Sequence, residues 1–135
     1  MINVQNLTFA YRKKPLFDGL NLEFRAGHVY GLLGRNGTGK SSLLRNIAGL
    51  LRPQKGRISV NGHRPFERQP VFLEDIYLVP EEYYLPDVPV SNFIKYYAPF
   101  YPRFDNEQFR MYISIFDIPE ENTLQNMSYG KKRRC

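Results

Sequence analysis

Residues 34–41 have the types and the spacing needed to hold a chain of phosphates. Their sequence, Gly-Arg-Asn-Gly-Thr-Gly-Lys-Ser, matches the phosphate-loop pattern G-x-x-x-x-G-K-[ST] at every fixed position. Glycines let the backbone turn tightly and direct its N–H groups at an anion with no Cβ atom in the way. Lys40 can then reach the β and γ phosphates, and the Ser41 hydroxyl can ligate a Mg²⁺ ion. The segment therefore predicts a polyphosphate site that uses Mg²⁺.

The residues on either side of this loop are expected to hold it between a strand and a helix. Residues 29–33, Val-Tyr-Gly-Leu-Leu, are typical of a buried strand. Residues 41–48 predict a helix that stops near Gly49, ahead of the breaker run at residues 52–56. Such a helix directs the positive end of its dipole at the phosphates. This context supports the phosphate-loop prediction.

Four further segments predict strands in the first part of the chain. Residues 20–24 alternate apolar and polar side chains, as a half-buried strand does. Residues 2–9 predict a strand whose alternation changes phase midway, and residues 57–60 a short strand that ends at an Asn-Gly turn. Residues 76–79 are a compact apolar run closed by Pro80 and predict another strand. Together with the helix, these segments indicate an α/β region over residues 1–82.

Residues 83–135 predict a smaller helical part. Ser91 can cap a helix over residues 92–97, and residues 105–108 resemble a capping box that opens another helix. In the second of these helices Phe109, Ile113 and Phe116 recur at helical spacing, which favours a core role. Other aromatic residues of this part fit a core or an interface equally well, and for these we leave both readings open: Tyr83, Tyr84, Tyr96 and Tyr97.

Composition and charge limit the class of protein. The 42% hydrophobic and 24% charged residues are those of a globular chain, and no apolar run has the length of a membrane span. Cys135 is the only cysteine and the N-terminus has no signal-peptide pattern, so a cytoplasmic setting is expected. Four basic residues at positions 131–134 supply most of the net charge of +6, which leaves no broad basic face and makes nucleic acid an unexpected partner.

Two more segments narrow the kind of phosphate-binding protein. Val79-Pro80-Glu81-Glu82 places an acidic pair directly after a predicted strand, and residues 126–134, Asn-Met-Ser-Tyr-Gly-Lys-Lys-Arg-Arg, look like the Leu-Ser-Gly-Gly-Gln signature of ABC-type ATPases. With the phosphate loop ahead of them, they make the chain resemble the ATP-binding domain of an ABC transporter over essentially its whole length. Residues 100–105 are similar to bacterial exporter-type subunits. The resemblance implies an α/β fold of the P-loop NTPase (ABC ATPase) type, with an N-terminal antiparallel β part and a small helical subdomain.

The resemblance also implies a role for individual positions. Tyr11 matches the aromatic residue that stacks on adenine, and Ser128 and Gly130 match signature residues that hold the γ-phosphate bound to a second domain. Glu81 stands where the family has a glutamine that ligates Mg²⁺ and contacts the attacking water. Lys40 and Glu81 are thus the candidate catalytic residues, and Ser41 and Glu81 the candidate metal ligands. The candidate ATP-binding residues are Tyr11, Gly34, Asn36, Gly37, Thr38, Gly39, Lys40, Ser41, Ser42, Ser128 and Gly130.

The implied partners are a second ATP-binding domain, in a head-to-tail dimer, and a transmembrane permease subunit at the inner face of the cell membrane. Tyr129 replaces a signature glycine and can crowd the contact across such a dimer. The family continues with a second acidic strand motif and a histidine that do not precede Cys135, so we expect a fragment with little ATP turnover by itself. Two alternatives stay open at this point: a nucleotide-responsive module that does not hydrolyse ATP, and a soluble relative that acts on nucleic acid.

Overall fold

The computed structural model describes residues 1–80 and 85–126 of the 135 residues. The chain forms two compact units, Met1–Val79 and Pro80–Cys135. Three predicted site residues, Glu81, Ser128 and Gly130, lie outside the described residues, and so do Tyr83 and Tyr84. The assignment of residues 1–82 to an ATP-binding core and of residues 83–135 to a helical subdomain stays a prediction.

The first unit contains a three-stranded antiparallel sheet in the order β2-β1-β3. Its strands are β1 (Ile2–Phe9), β2 (Phe17–Phe24) and β3 (Lys55–Val60). The three strands predicted at these positions are therefore confirmed. β3 ends where Asn61 and Gly62 both adopt positive φ, 50° and 87°, and residues with positive φ at both turn positions are what a two-residue hairpin turn requires.

The predicted change of phase in β1 is a β-bulge. Asn6 adopts φ 48°, and the pairing with β2 shifts between Val4 and Leu7. As a result Val4 and Leu7, three positions apart, are both buried in the same core, which an uninterrupted strand with a period of two would not allow. The Asn6 N–H that the bulge removes from the ladder is accepted by Asn21 Oδ1 at 2.9 Å.

Helix α1 (Lys40–Ile47) begins at the last two residues of the phosphate-loop motif and packs Leu43 and Ile47 into the same core as the sheet. It ends in a Schellman motif: the Gly49 N–H donates to Asn46 O at 3.1 Å and the Leu50 N–H donates to Arg45 O at 2.8 Å. The predicted helix and its end at Gly49 are thus confirmed to within one residue.

Two predicted strands are wrong. Residues 29–33 and 76–79 do not form strands, and in the described part of the chain neither segment pairs with a neighbouring strand. Val29 is 102% exposed and Leu33 is 94% exposed, so the first of these segments is not buried either. An apolar run favours burial, but a strand also needs a neighbouring backbone to bond, and the described strands pair only with one another.

Residues 61–75 form two short helices that the sequence does not predict. A short 3₁₀ helix spans Pro65–Glu67, and α2 spans Pro70–Glu74 with a proline in its first turn. α2 places the Phe72 ring, 1% exposed, in the same core as β1 and α1. A five-residue helix is too short to give a periodic signal, and a proline at its first position is the local feature that favours a helix start there.

The second unit is helical. Its main helices are α3 (Val90–Tyr97) and α4 (Asn106–Ile115), with 3₁₀ turns at Ala98–Phe100 and Leu124–Asn126. Val90, Ile113, Ile118 and Leu124 form its buried core, and Phe109 and Phe116 pack against them, so the core role predicted for Phe109, Ile113 and Phe116 is confirmed.

Of the two helix caps predicted in this unit, the one at residues 105–108 is confirmed and the one at Ser91 is wrong. Asp105 caps α4, because its Oδ1 accepts the N–H groups of Glu107 at 2.8 Å and Gln108 at 3.0 Å. The predicted cap at Ser91 is wrong: the N-cap of α3 is Pro89 and makes no side-chain hydrogen bond, and Ser91 lies inside the helix. Among the described residues, no helix combines the length and the apolar character that crossing a bilayer requires.

Candidate nucleotide-binding site

The loop at residues 34–39 has a shape that depends on its glycines. Gly37 and Gly39 adopt φ 82° and 100°, a region that L side chains rarely enter. A Cβ atom on Gly39 would lie 2.7 Å from Phe17 Cζ and 2.9 Å from Leu16 Cδ2, which is closer than real contacts allow. Gly39 therefore lets the start of α1 sit directly on β2 and on the residue before it.

Lys40 crosses this loop with its side chain. Its Nζ donates to Gly34 O at 2.7 Å and to Arg35 O at 2.9 Å, and the Thr38 hydroxyl donates to the same Arg35 oxygen at 2.9 Å. Gly34 lies close to Thr38, because a Cβ atom added to Gly34 would be only 3.1 Å from Thr38 Oγ1. The ammonium group is thus tied to the loop backbone, and among the described residues no carboxylate forms a salt bridge with it. A charge held in this way is available to an anion.

The start of α1 supplies further positive character. The N-cap is Gly39, which has no side chain to satisfy the first N–H groups, and the first turn contains no acidic residue. In any α-helix the first N–H groups lack intrahelical acceptors and carry the positive end of the dipole. Backbone donors and the Lys40 ammonium consequently belong to one short stretch of chain, as a polyphosphate site requires.

Tyr11 reaches this site from the end of β1. Its hydroxyl lies 3.0 Å from Ser42 Oγ in the first turn of α1, and its ring meets that of Phe9 edge-on at 5.0 Å. Tyr11 is nevertheless 59% exposed, so part of the residue stays accessible to a planar partner. The structure therefore brings Tyr11 next to the phosphate loop, although 31 positions separate it from Ser42 in the chain.

Ser41 and Ser42 are placed differently. Ser41 is exposed, whereas Ser42 is buried and bonded to Tyr11. Among the described residues no cluster of three or more His, Cys, Asp or Glu side chains could hold a metal. Mg²⁺ does not need such a cluster, since it commonly binds through one or two protein groups, waters and the phosphates themselves. Ser41, an exposed residue in the first turn of α1, fits that mode of binding.

Asn46 is a supporting residue that the sequence reasoning did not single out. It is 0% exposed, and its Nδ2 donates to Ser42 O at 2.8 Å inside α1. A signal for it was present, because Asn46 shares the buried helix face of Leu43 and Ile47 and a polar residue there needs a partner. Asn36 lies in an exposed turn of the loop, and the predicted partners Glu81, Ser128 and Gly130 lie outside the described residues.

The chain is similar to known proteins both in sequence and in fold. The family model described as "ABC transporter" matches residues 17–135. The cobalt import ATP-binding protein CbiO of Salmonella paratyphi A is 48% identical over 62 residues, which are 46% of this chain and 23% of that protein. The ABC-type transporter ATP-binding protein EcsA of Bacillus subtilis is 35% identical over 95 residues, 67% of this chain and 34% of that protein. This chain thus spans about a quarter to a third of the length of these curated relatives.

A solved structure, described as the ATP binding subunit of an ABC transporter, superimposes with a TM-score of 0.87 at 23% identity. The match covers 98% of this chain and 58% of that one. At this identity the likeness shows the fold, and the fold is that of P-loop ABC ATPase domains, as predicted. Since the family model covers most of the chain, the chain belongs to the ABC transporter family, and the two relatives named above are ATP-binding proteins.

Proposed function

We propose that this chain is the phosphate-binding portion of an ATP-binding subunit that couples ATP binding and hydrolysis to transport through a membrane partner. The observation that carries the proposal is the Lys40 ammonium held 2.7 Å from Gly34 O and 2.9 Å from Arg35 O, across a glycine loop that opens α1. The names of the relatives, which are ATP-binding proteins of transporters, support it as well.

In this proposal Lys40 exchanges its two carbonyl partners for oxygens of the β and γ phosphates. The backbone N–H groups at the start of α1 donate to the same phosphates, and their dipole adds to the attraction. Because phosphoryl transfer is catalysed mainly by positioning and by charge stabilisation, the residues of this loop supply binding and orientation. Mg²⁺ would supply charge neutralisation at the phosphates, held on the protein side by Ser41 and by Glu81.

The remaining assigned residues extend the site. Tyr11 stacks its exposed ring on adenine while its hydroxyl stays near Ser42. Ser128 and Gly130 contact the γ-phosphate bound to a second ATP-binding domain, in a head-to-tail dimer. A transmembrane permease is the further partner, and the subunit works at the cytoplasmic face of the membrane. The cobalt-import name of one relative does not favour the exporter-like prediction, which stays open.

The experiment is a titration with MgATP of the full-length protein that contains this chain and of the 135-residue chain itself. Three forms are compared: the unchanged protein, Lys40→Ala, and the control Lys95→Ala. The control removes the same charge from an exposed position on α3. We expect Lys40→Ala to weaken MgATP binding by about 10-fold or more, because charge-assisted hydrogen bonds to phosphate are among the stronger polar contacts. Lys95→Ala should leave it unchanged.

Each form of the protein answers a separate question. If Lys40→Ala binds MgATP as tightly as the unchanged full-length protein does, the proposal is wrong. If the full-length protein responds as expected and the 135-residue chain binds no MgATP, the loop needs residues beyond this chain to work. Nothing in the relatives favours the alternative of a module that binds ATP without hydrolysing it.

A further inference from the structure

A second concave site lies in the first unit, in residues that the phosphate loop does not use. It is a cleft of about 460 Å³ whose lining includes Arg52, Arg57, Arg64, Ile58, Phe66 and Glu67, and we call it the arginine cleft. A volume of this size falls within the range of ~300–1,000 Å³ typical of small-molecule sites. The cleft is thus large enough for a small organic ligand.

Three separate segments bring the arginines together. Arg52 follows the end of α1, Arg57 lies on β3, and Arg64 immediately precedes the 3₁₀ helix Pro65–Glu67. The close packing of α1 against that 3₁₀ helix is built into the backbone, since a Cβ atom on Gly49 would lie 2.2 Å from Pro65 O. Packed secondary structure therefore holds the walls that carry the arginines.

The charges of the cleft are unbalanced. Glu67 is the one acidic residue in its lining and pairs with Arg64, Nη1 to Oε1, at 3.6 Å. Within residues 1–80 and 85–126 no salt bridge engages Arg52 or Arg57. The Arg52 guanidinium lies 5.9 Å from the centroid of the Phe66 ring, within the reach of a cation–π contact, which limits where its planar fork can point. Three arginines against one carboxylate leave two positive charges for a ligand to neutralise.

The lining also has an apolar side. Phe66 is half-buried, and Ile58 belongs to the buried core below the cleft. Arginine's rigid donor fork matches the oxygens of a phosphate, and a phosphate monoester carries close to two negative charges at neutral pH. We propose that the arginine cleft binds a small phosphate monoester with an apolar body, its phosphate on Arg52 and Arg57 and its body against Phe66.

Charged residues on an edge strand have another use, which is to block pairing with other strands. β3 is at the edge of the described sheet and also carries Lys55, so this use applies to Arg57. It does not account for Arg52 and Arg64, which lie outside any strand but line the same cleft. Convergence of the three on one cavity is what favours a ligand.

The test is calorimetric titration of the full-length protein with phenyl phosphate, which combines one phosphate with one apolar ring. All forms carry Lys40→Ala, so that the phosphate loop does not bind the probe. Inorganic phosphate and benzoate serve as comparison ligands, one without the apolar body and one without the second negative charge. We expect phenyl phosphate to bind more tightly than either.

Variants assign that binding to the cleft. Arg52→Gln and Arg57→Gln should each weaken phenyl phosphate binding by about 10-fold or more, as the loss of a charge-assisted hydrogen bond does. Glu67→Gln should strengthen it by about twofold to fivefold, because it frees Arg64 from a competing exposed carboxylate. Arg25 is an exposed arginine outside the cleft and pairs with Glu23 at 3.2 Å. Arg25→Gln should therefore leave the affinity for phenyl phosphate unchanged.

The proposal fails if phenyl phosphate does not bind at concentrations up to about 10 mM, the weak end of specific small-molecule recognition. It also fails if Arg25→Gln lowers the affinity as much as Arg57→Gln does, since the effect would then be one of overall charge. Arg52→Lys guards against loss of folding: it keeps the charge and should weaken binding less than Arg52→Gln. None of these results depends on ATP binding at Lys40, so the two proposals can fail separately.

Discussion

Lys40 and Gly39 are neighbours that contribute to one site by different physical means. Lys40 provides charge, and its two hydrogen bonds to Gly34 O and Arg35 O hold that charge in place. Gly39 contributes because it has no Cβ atom: at φ 100° it packs against Phe17, where any side chain would collide. Another cationic side chain could supply part of the charge of Lys40, whereas no other residue type could take the place of Gly39 without a collision.

Gly39→Ala should therefore destabilise the first unit by about 2–5 kcal/mol. About 1–2 kcal/mol comes from forcing a residue with Cβ into the left-handed region, and overpacking against Phe17 adds a cost of about 1–3 kcal/mol. Urea unfolding measures the free energy. Gly37→Ala is the matched control, since Gly37 has φ 82° but nothing within 4 Å of its Cβ position, so only the first cost applies. Equal losses in the two variants would contradict the proposed contact.

Tyr11 allows its ring and its hydroxyl to be tested separately. Tyr11→Phe removes the contact to Ser42 Oγ but keeps the exposed ring, and Tyr11→Ala removes both. If the ring stacks on adenine, Tyr11→Ala should weaken ATP binding in the full-length protein by about 1–3 kcal/mol, while Tyr11→Phe stays within about 1 kcal/mol of the unchanged protein. Fluorescence titration with MgATP measures both. Similar losses in the two variants would assign the role to the hydroxyl instead.

At the scale of secondary structure, local chemistry decides where elements begin, bend and end. Asn6 bends β1 so that Val4 and Leu7 face one core, and Gly49 ends α1 through a Schellman motif. Each of these positions was visible in the sequence as a change of phase or a glycine. Ser91 shows the opposite case: serine caps helices well, but Pro89 already occupies the N-cap of α3.

The two caps of the second unit make a direct comparison. Asp105→Ala removes the acceptor of two N–H groups in α4 and should lower the stability of the second unit by about 1 kcal/mol, within the range of 0.5–2 kcal/mol for lost N-caps. Asp105→Asn keeps an acceptor and should cost a few tenths of a kcal/mol. Ser91→Ala should change stability by less than about 0.5 kcal/mol, as for other sites without a special contact. Thermal unfolding with helix content as the readout checks all three, and a Ser91→Ala loss as large as that of Asp105→Ala would refute the cap assignment.

At the scale of the whole molecule, the chain forms two units, one built on an antiparallel sheet and one on helices. The segment at residues 29–33, which leads into the phosphate loop, is exposed at both of its apolar ends, Val29 and Leu33. Contiguous exposed apolar residues mark places where another segment or another molecule binds. The 135-residue chain thus presents this segment to solvent at the approach to its candidate site.

We expect the 135-residue chain to self-associate through this segment. The double variant Val29→Asp with Leu33→Asp should lower the apparent molecular mass at high concentration, because charges on the segment oppose pairing. Sedimentation velocity measures the change. Val71→Asp with Leu50→Asp introduces the same charges at two scattered apolar residues, 56% and 55% exposed, and should have little effect. Association that persists unchanged in the first variant would exclude the segment as its cause.

The amino-acid sequence alone determined the phosphate loop, the three strands of the sheet, helix α1 and the family resemblance, because each rests on residue types at short and fixed spacings. It also located the Asp105 cap and the buried face of α4 for the same reason. Only the tertiary structure decided that Tyr11 reaches Ser42, that Phe72 enters the core from a five-residue helix, and that three arginines meet in one cleft. These depend on contacts between residues far apart in the chain. The same physics explains the errors at residues 29–33 and 76–79, since apolar composition is local but a strand exists only beside a partner.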